Sequence, residues 1–165
     1  MNLNDQIDSI PPTGNGQTMF YCSNIQKHLS NRISRATYIW GCVAWLSNQR
    51  IIDALYGKQG LIIIQSENFE PYLLDHYRRL SKSGMFIKQF GTPSFGQKDK
   101  QLMHNKFVLF GNGNRPSGLW TGSFNFTVNA TQQLENAVYT SQKKAVSAAF
   151  KYFTEISKSG FCQLI

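Results

Sequence analysis

The sequence predicts an α/β domain in which helices flank a mixed central β-sheet. Helix and strand patterns alternate through the first half of the chain, as they do in proteins with parallel strands. The run Leu61–Ile64 is apolar without interruption, which is typical of a strand buried on both faces of such a sheet. A length of 165 residues suits one hydrophobic core, and an apolar fraction of 41% excludes a disordered chain. We therefore expect a single folded domain.

The chain is predicted to begin with an arm, a helix and a strand. Prolines and glycines follow one another closely in residues 1–18, which predicts a flexible arm and leaves residues 19–165 as the domain. Ser23–Ile33 carries apolar residues at helical spacing. Ala36–Leu46 is an apolar run rich in β-branched and aromatic residues, and it predicts the first strand of the core.

Two further helix–strand pairs follow. Ser47 is predicted to cap a helix that runs to Gly57, and the strand Leu61–Ile64 comes next. A second helix is predicted over Pro71–Ser83, because proline is favoured in the first turn and Gly84 follows the end. The strand Met85–Phe90 completes an αβαβαβ order.

The second half of the chain has a different pattern, with strands that follow one another directly. A glycine- and proline-containing loop is predicted over Gly91–Gln101. Strands are predicted over His104–Phe110, Leu119–Ser123 and Glu135–Thr140, and an amphipathic helix over Gln142–Lys158. With the first half of the chain, this order predicts an α/β sandwich with a mixed central sheet.

Charge and composition limit the partners and the compartment. The chain has 17 Lys and Arg against 9 Asp and Glu, and its net charge of +8 favours a polyanionic partner. No apolar run approaches the roughly 20 residues that a membrane-spanning helix needs, so no membrane anchor is expected. The N-terminal residues lack the basic and apolar regions of a signal peptide. Three cysteines without CxxC spacing predict reduced, buried thiols, and we expect a cytoplasmic protein.

A group of polar residues in the second half of the chain suggests phosphoryl transfer. His104 and Lys106 are two residues apart in a predicted strand, so both side chains are expected on the same face. Ser123 and Asn125 share the same relation, and Glu135 precedes another strand. An imidazole nucleophile, cationic and neutral donors for phosphate oxygens, and a carboxylate that orients the imidazole form a coherent set for this chemistry.

These residues occur in a recognisable pattern. His104-Asn-Lys106, then Thr121-Gly-Ser-Phe-Asn-Phe-Thr127, then Glu135-Asn136 resembles the phospholipase D superfamily, and it is most similar to the small bacterial endonucleases with one HxK motif per chain. The resemblance implies a phospholipase D-like sandwich. It also implies a phosphodiester hydrolase that needs no metal ion or other cofactor and works as a homodimer.

The resemblance also implies a role for each residue of the motif. His104 from each of two subunits supplies the nucleophile, which forms a phosphohistidine, and the acid that protonates the leaving oxygen. Lys106 and Asn125 contact the non-bridging oxygens, Ser123 adds a hydrogen bond, and Glu135 orients the imidazole. The sequence departs from the family pattern at Gly111, where the motif has an aspartate. Strand alternation places residue 111 away from His104, so we expect that aspartate to be structural.

The sequence argues against a metal-dependent nuclease. No Lys in the chain has Asp or Glu two positions before it, so the (D/E)xK part of a common metal-nuclease motif is absent. The basic residues instead outline a nucleic-acid surface: the segment 76–106 carries a net charge of +6. Lys98 and Lys100 lie on the loop that leads to His104. The other predicted contacts with nucleic acid are Arg78, Arg79, Lys88 and Trp120, the last by stacking on bases.

The sequence therefore predicts a nuclease for which DNA is favoured and RNA is left open. Two alternatives stay beside it. One is a nucleic-acid-binding domain that has lost catalysis together with the aspartate at position 111. The other is a phospholipid phosphodiesterase, although no apolar entry surface is visible in the sequence.

Overall fold

A computed structural model describes residues 7, 9–65, 70–91 and 102–165. Strands in these residues are β1 (Thr13–Gly14), β2 (Thr18–Tyr21), β3 (Tyr38–Val43), β4 (Gln59–Gln65), β5 (Met85–Phe90), β6 (Lys106–Gly111), β7 (Gly118–Gly122), β8 (Ala137–Thr140) and β9 (Cys162–Leu164). Helices are α1 (Ile25–Arg35), α2 (Gln49–Leu55), α3 (Pro71–Lys82) and α4 (Lys143–Lys158), with a 3-10 turn at Asn129–Gln132. Within the described ranges the nine strands form one sheet in the order β1-β2-β8-β7-β6-β3-β4-β5-β9.

The centre of the sheet confirms the predicted order of helices and strands. β3, β4 and β5 pair in parallel, and α2 and α3 connect them as crossover helices. β6, β7 and β8 continue the sheet in antiparallel fashion from β3. The mixed sheet flanked by helices is the predicted fold class.

Several predicted boundaries differ from the observed ones by one to three residues, and two of these differences concern a helix cap and a residue of the motif. Asn48, not Ser47, caps α2, and its Oδ1 accepts hydrogen bonds from the backbone N–H groups of Arg50 and Ile51. The strand predicted from His104 begins at Lys106. His104 therefore lies just before the sheet, and strand alternation does not determine the direction of its side chain.

The sheet has a hydrophobic core on each face. α1, α2 and α3 cover the face that carries Val43, Ile62 and Val108. The opposite face carries Cys42, Ile63 and Leu109, and α4 packs there through Val146 and Phe153 among others. Alternation along each strand divides the apolar residues between the two cores, as expected for strands buried on both sides.

The outer strands come from segments without a strong sequence signal. Thr13–Gly14 pairs with β2 although it falls in the predicted arm, so at least this part of residues 1–18 is ordered by pairing. β2 pairs with β8, and the hydroxyls of Thr18 and Thr140 lie 2.9 Å apart between these strands. β9 pairs antiparallel with β5 at the other edge.

All three cysteines lie in the described residues, and none forms a disulfide. Cys42 is fully buried, as predicted, whereas Cys22 and Cys162 are half-buried. Burial, with the nearby Cys162 as a smaller cause, raises the pKa of the Cys42 thiol to about 12. In the parts of the chain that the structure describes, no helix has the length and apolar character required to cross a membrane.

Candidate active site

Several strand ends meet at one edge of the sheet. Lys106 at the start of β6 pairs with Val43 at the carboxyl end of β3. The neighbouring strands bring Gly122 at the end of β7 beside Ala137 at the start of β8. In open α/β sheets, ligands bind outside the carboxyl ends of the parallel strands. The residues of the predicted motif lie at this edge, which we call the catalytic edge.

His104 and Lys106 are in direct contact at the catalytic edge. Lys106 Nζ lies 3.2 Å from Nε2 and 3.3 Å from Nδ1 of His104. The imidazole is exposed, whereas Lys106 is half-buried. Partial burial lowers the pKa of Lys106, and the charge of Glu135 opposes this shift. The structure thus brings a histidine, a lysine and a carboxylate to one place, as the sequence predicts.

Ser123 and Glu135 form the second part of the site. The Ser123 hydroxyl donates a short hydrogen bond to a carboxylate oxygen of Glu135 and accepts one of 3.0 Å from the backbone N–H of Asn136. The hydroxyl therefore uses its one donor proton and one of its two acceptor sites. We predicted that Ser123 bonds to substrate, but its one proton is engaged with Glu135. In the described residues, no hydrogen bond joins Glu135 to His104 of the same chain.

Asn125 lies in a loop that is fixed on both sides. Phe124 and Phe126 are buried, and the backbone N–H groups of Ser47 and Asn48 each donate to the carbonyl of Phe126 at 2.9 Å. The Oδ1 atom of Asn125 is buried and has no hydrogen-bond partner in the described residues. A buried amide with an unsatisfied oxygen is unusual in a stable core and is often found where a ligand binds.

Trp45 lies at the site although it is not part of the sequence motif. Its ring lies 5.1 Å from that of His104 at an interplanar angle of 78°, which is an edge-to-face contact. Lys106 Nζ lies 5.6 Å from the centre of the Trp45 ring. The sequence does contain a signal, because Trp45 lies at the end of the predicted strand Ala36–Leu46, and the observed strand β3 ends two residues before it at the same edge as the motif.

Several residues predicted to bind nucleic acid lie elsewhere. The prediction for Trp120 is wrong: the ring is 1% exposed and packs on Tyr21 in the core. Lys88 is also not at the site, since β5 is three strands from β6, about 14 Å. Its ammonium donates to the carbonyl of Ser157 at the end of α4.

The remaining basic residues do not adjoin the motif in the described structure. Arg78 and Arg79 are exposed in the second half of α3, which runs away from the catalytic edge. Arg78 pairs with Asp75 at 3.9 Å. Lys98 and Lys100 lie outside the described residues.

Gly111, which replaces the aspartate of the motif, is remote from the site. It lies at the opposite end of β6 from Lys106, five residues away, which corresponds to about 17 Å along a strand. Gly111 is buried there, and Trp40 and the backbone of Arg115 surround it. Residue 111 is therefore far from His104 because of its distance along β6, and not because of strand alternation.

The histidine, cysteine and acidic side chains of the described residues form no cluster of three that could hold a metal ion. The other two histidines have separate environments. His28 packs on Tyr21 with ring centres 4.9 Å apart, and His76 contacts the hydroxyl of Tyr56 through Nδ1 at 3.2 Å. Neither contacts His104, so His104 is the one imidazole of the described residues that contacts Lys106.

Comparison with solved structures identifies the fold. The chain superposes on Nuc from Salmonella typhimurium, a phospholipase D family member, with a TM-score of 0.72 at 18% identity, covering 94% of this chain and 99% of that one. NucT from Helicobacter pylori gives a TM-score of 0.71 at 14% identity, covering 90% and 98% of the two chains.

Sequence comparison identifies the family. Uncharacterized protein L381 of Acanthamoeba polyphaga mimivirus is 30% identical in an alignment of 179 positions that covers 84% of this chain and 64% of that protein. This chain thus spans somewhat less than two thirds of the length of its relative. The family model described as "Cardiolipin synthase, PLD-like domain" matches residues 29–157, which include the whole motif. The chain therefore belongs to the phospholipase D-like domain family.

Proposed function

We propose that the protein is a metal-independent phosphodiesterase that hydrolyses nucleic acid through a phosphohistidine, at a site completed by a second copy of the chain. The contact between His104 and Lys106 beside Glu135 carries this proposal. It combines a nucleophile, a cation for phosphate and a carboxylate at an open sheet edge.

In the first step, a ring nitrogen of one His104 attacks phosphorus. The new N–P bond forms as the bond from phosphorus to the leaving oxygen breaks, and His104 of the second copy donates a proton to that oxygen. In the second step, the same imidazole of the second copy removes a proton from water. The water oxygen attacks phosphorus, the N–P bond breaks, and its electron pair returns to the ring nitrogen.

Other residues of the chain support these steps. Lys106 neutralises the non-bridging oxygens, and the amide of Asn125 supplies a neutral contact to them. Glu135 is held by Ser123, and its carboxylate orients an imidazole that donates through its N–H. Ser123 acts in this scheme as a positioning residue for Glu135.

The need for a second copy follows from the histidine count. The chain contains three histidines, and the other two lie in the separate contacts described above. An in-line displacement needs the nucleophile and the acid on opposite sides of phosphorus. A homodimer in which two catalytic edges face each other supplies both groups from His104.

The net charge of +8 supports nucleic acid as the substrate, since neutralised phosphates release counterions. We favour DNA, with RNA as a second substrate. The description of the matched family as cardiolipin synthase makes a phospholipid the alternative substrate to test.

The test is cleavage of single-stranded and duplex DNA, and of RNA, in the presence of a chelator. We expect cleavage by the wild type and by His76→Asn, a matched substitution at a remote histidine, and loss of cleavage in His104→Asn. When wild type and His104→Asn are mixed and allowed to exchange subunits, activity is expected to fall as the square of the wild-type fraction. A linear fall would contradict the shared site.

Other outcomes select an alternative function. A requirement for a divalent metal would defeat the mechanism. Release of headgroup from cardiolipin vesicles without DNA cleavage would favour a phospholipid phosphodiesterase. Salt-dependent DNA binding without cleavage would favour a catalytically inactive binding domain.

A further inference from the structure

A cavity of about 430 Å³ lies beside the active site and has no role in the proposed mechanism. It opens between the start of α1, the start of α2 and the loop from β7 to β8. Its described lining is mostly polar. The lining includes Lys27, Ser30, Arg50 and Phe124.

The cavity lies at the catalytic edge. Tyr21 at the end of β2 pairs with Ala137, which pairs in turn with Gly122 at the end of β7. Tyr21 is therefore about two strand spacings, or roughly 10 Å, from Gly122, and α1 begins four residues after Tyr21. Phe124 lines the cavity and stands between Ser123 and Asn125 in sequence. One chain of an extended substrate can therefore reach both places.

The charges of the cavity favour an anion. Lys27 and Arg50 contribute two cationic side chains, and neither forms an ion pair with another described residue. None of the described residues that line the cavity is acidic. A cavity with two cations and no described counter-charge attracts phosphate rather than a neutral or cationic ligand.

Unused hydrogen-bond donors add to this charge. The side chain of Asn24 does not cap α1, so the backbone N–H groups of the first turn lack that acceptor. Independently, the Ser30 hydroxyl, on a residue that lines the cavity, is buried without a hydrogen-bond partner in the described structure. Buried hydroxyls in stable proteins are normally satisfied, so an unsatisfied one on a residue that lines a cavity leaves a position for a polar partner, either a water molecule or a ligand oxygen.

We infer that this cavity binds a phosphate of the nucleic-acid chain that flanks the scissile bond. The inference rests on the proposed function, which places the scissile phosphate at His104 and Lys106. A phosphate held by Lys27, Arg50 and the start of α1 fixes the direction in which the strand crosses the catalytic edge. The site reads the backbone and not the bases, so it adds affinity without sequence preference.

The test measures binding of a short fluorescent single-stranded oligonucleotide by anisotropy. In Lys27→Gln/Arg50→Gln, we expect the dissociation constant to rise about tenfold. The slope of log affinity against log salt should become shallower by about 0.7, the value for one phosphate contact on a single strand. In Ser30→Ala we expect weaker binding without loss of thermal stability, because the substitution removes a hydroxyl that has no partner in the free protein.

Lys143→Gln/Lys144→Gln is the matched control. It removes two positive charges from exposed residues at the start of α4, beyond the end of β8 that points away from the catalytic edge. We expect its dissociation constant to change less than about twofold, because charges farther than a Debye length are screened. Equal losses in the two double variants, or no loss in either, would overturn the inference.

Cleavage is measured separately, so the two proposals fail independently. Tight binding that depends on Lys27 and Arg50, without any cleavage by the wild type, would defeat the proposed function and retain the phosphate site. Cleavage by the wild type, together with binding that does not depend on Lys27 and Arg50, would support the proposed function and overturn the phosphate site. The inference would also be overturned if substitution of these residues weakened binding to anionic vesicles but not binding to the oligonucleotide.

Discussion

Lys106 contacts both the backbone and the ring of His104. Its Nζ lies 3.0 Å from the backbone carbonyl oxygen of His104 and 3.2 Å from the ring Nε2. The contact fixes the ammonium at the mouth of the site, immediately before the start of β6. A phosphate that approaches the imidazole therefore meets the positive charge at the same time.

Lys106→Met is expected to lower kcat/KM for a small diester such as bis(p-nitrophenyl) phosphate by about 10²–10³, the effect of removing one group that stabilises transition-state charge. Lys106→Arg should recover part of the activity, because it keeps the charge but not the compact ammonium geometry. Lys151→Met, on the exposed surface of α4, is the control and should retain the wild-type rate. Full activity in Lys106→Met would exclude the assigned role.

Glu135→Gln is expected to change the pH dependence of the reaction. Burial lowers the pKa of Lys106 and the charge of Glu135 raises it, so removal of that charge lowers the pKa further. Lys106 must be protonated to neutralise phosphate, and the loss of activity at high pH should therefore begin at a lower pH in the variant. The measurement is the pH profile of kcat/KM.

Glu155→Gln, on α4, provides the control for this profile. The substitution removes one negative charge outside the catalytic cluster, so the alkaline limb should stay in place. A Glu135→Gln enzyme that is slower at every pH, with an unmoved alkaline limb, would show that Glu135 acts on the imidazole alone and not on Lys106.

Sequence reasoning predicted the central part of the fold because those elements carry local signals. Leu61–Ile64 is apolar throughout, and Pro71 and Gly84 mark the two ends of α3. β2 and β9 carry weaker signals, since they pair with β8 and β5, which are distant in sequence: Thr18 pairs with Thr140. Such strands form because of tertiary contacts, which the local sequence pattern does not predict.

The same distinction explains the outcome at the site. His104, Lys106, Ser123 and Glu135 were found because their spacing matches a family motif. The pattern could not show that Trp120 is buried, since strand alternation assigns a residue to one of two faces without saying that helices cover both of them. Nor could it show that the Ser123 proton goes to Glu135, a bond between residues on two different strand ends.

Gly111→Asp, which restores the aspartate of the family motif, is expected to destabilise this protein. A Cβ atom at residue 111 would lie 2.5 Å from the carbonyl oxygen of Arg115 and 3.1 Å from the ring of Trp40. Overpacking of this kind costs about 1–3 kcal/mol. The free energy of unfolding, measured by denaturant titration, should fall by this amount.

Gly113→Asp is the matched control, because a Cβ atom there meets no heavy atom within 4 Å. We expect its free energy of unfolding to stay within about 0.5 kcal/mol of the wild type. Higher activity in Gly111→Asp would contradict the conclusion that residue 111 plays no part in catalysis at the other end of β6.

Trp45→Ala is expected to lower kcat for the small diester by about tenfold, because the edge-to-face contact with His104 and the contact with Lys106 are each worth about 0.5–1.5 kcal/mol. Trp45→Phe keeps an aromatic ring beside the imidazole and should recover most of the rate. Trp40→Ala is the control, since Trp40 packs on Phe150 of α4 and has no contact with His104. We expect this variant to have a lower free energy of unfolding and an unchanged kcat. Equal kcat in Trp45→Ala and the wild type would show that His104 keeps its orientation without Trp45.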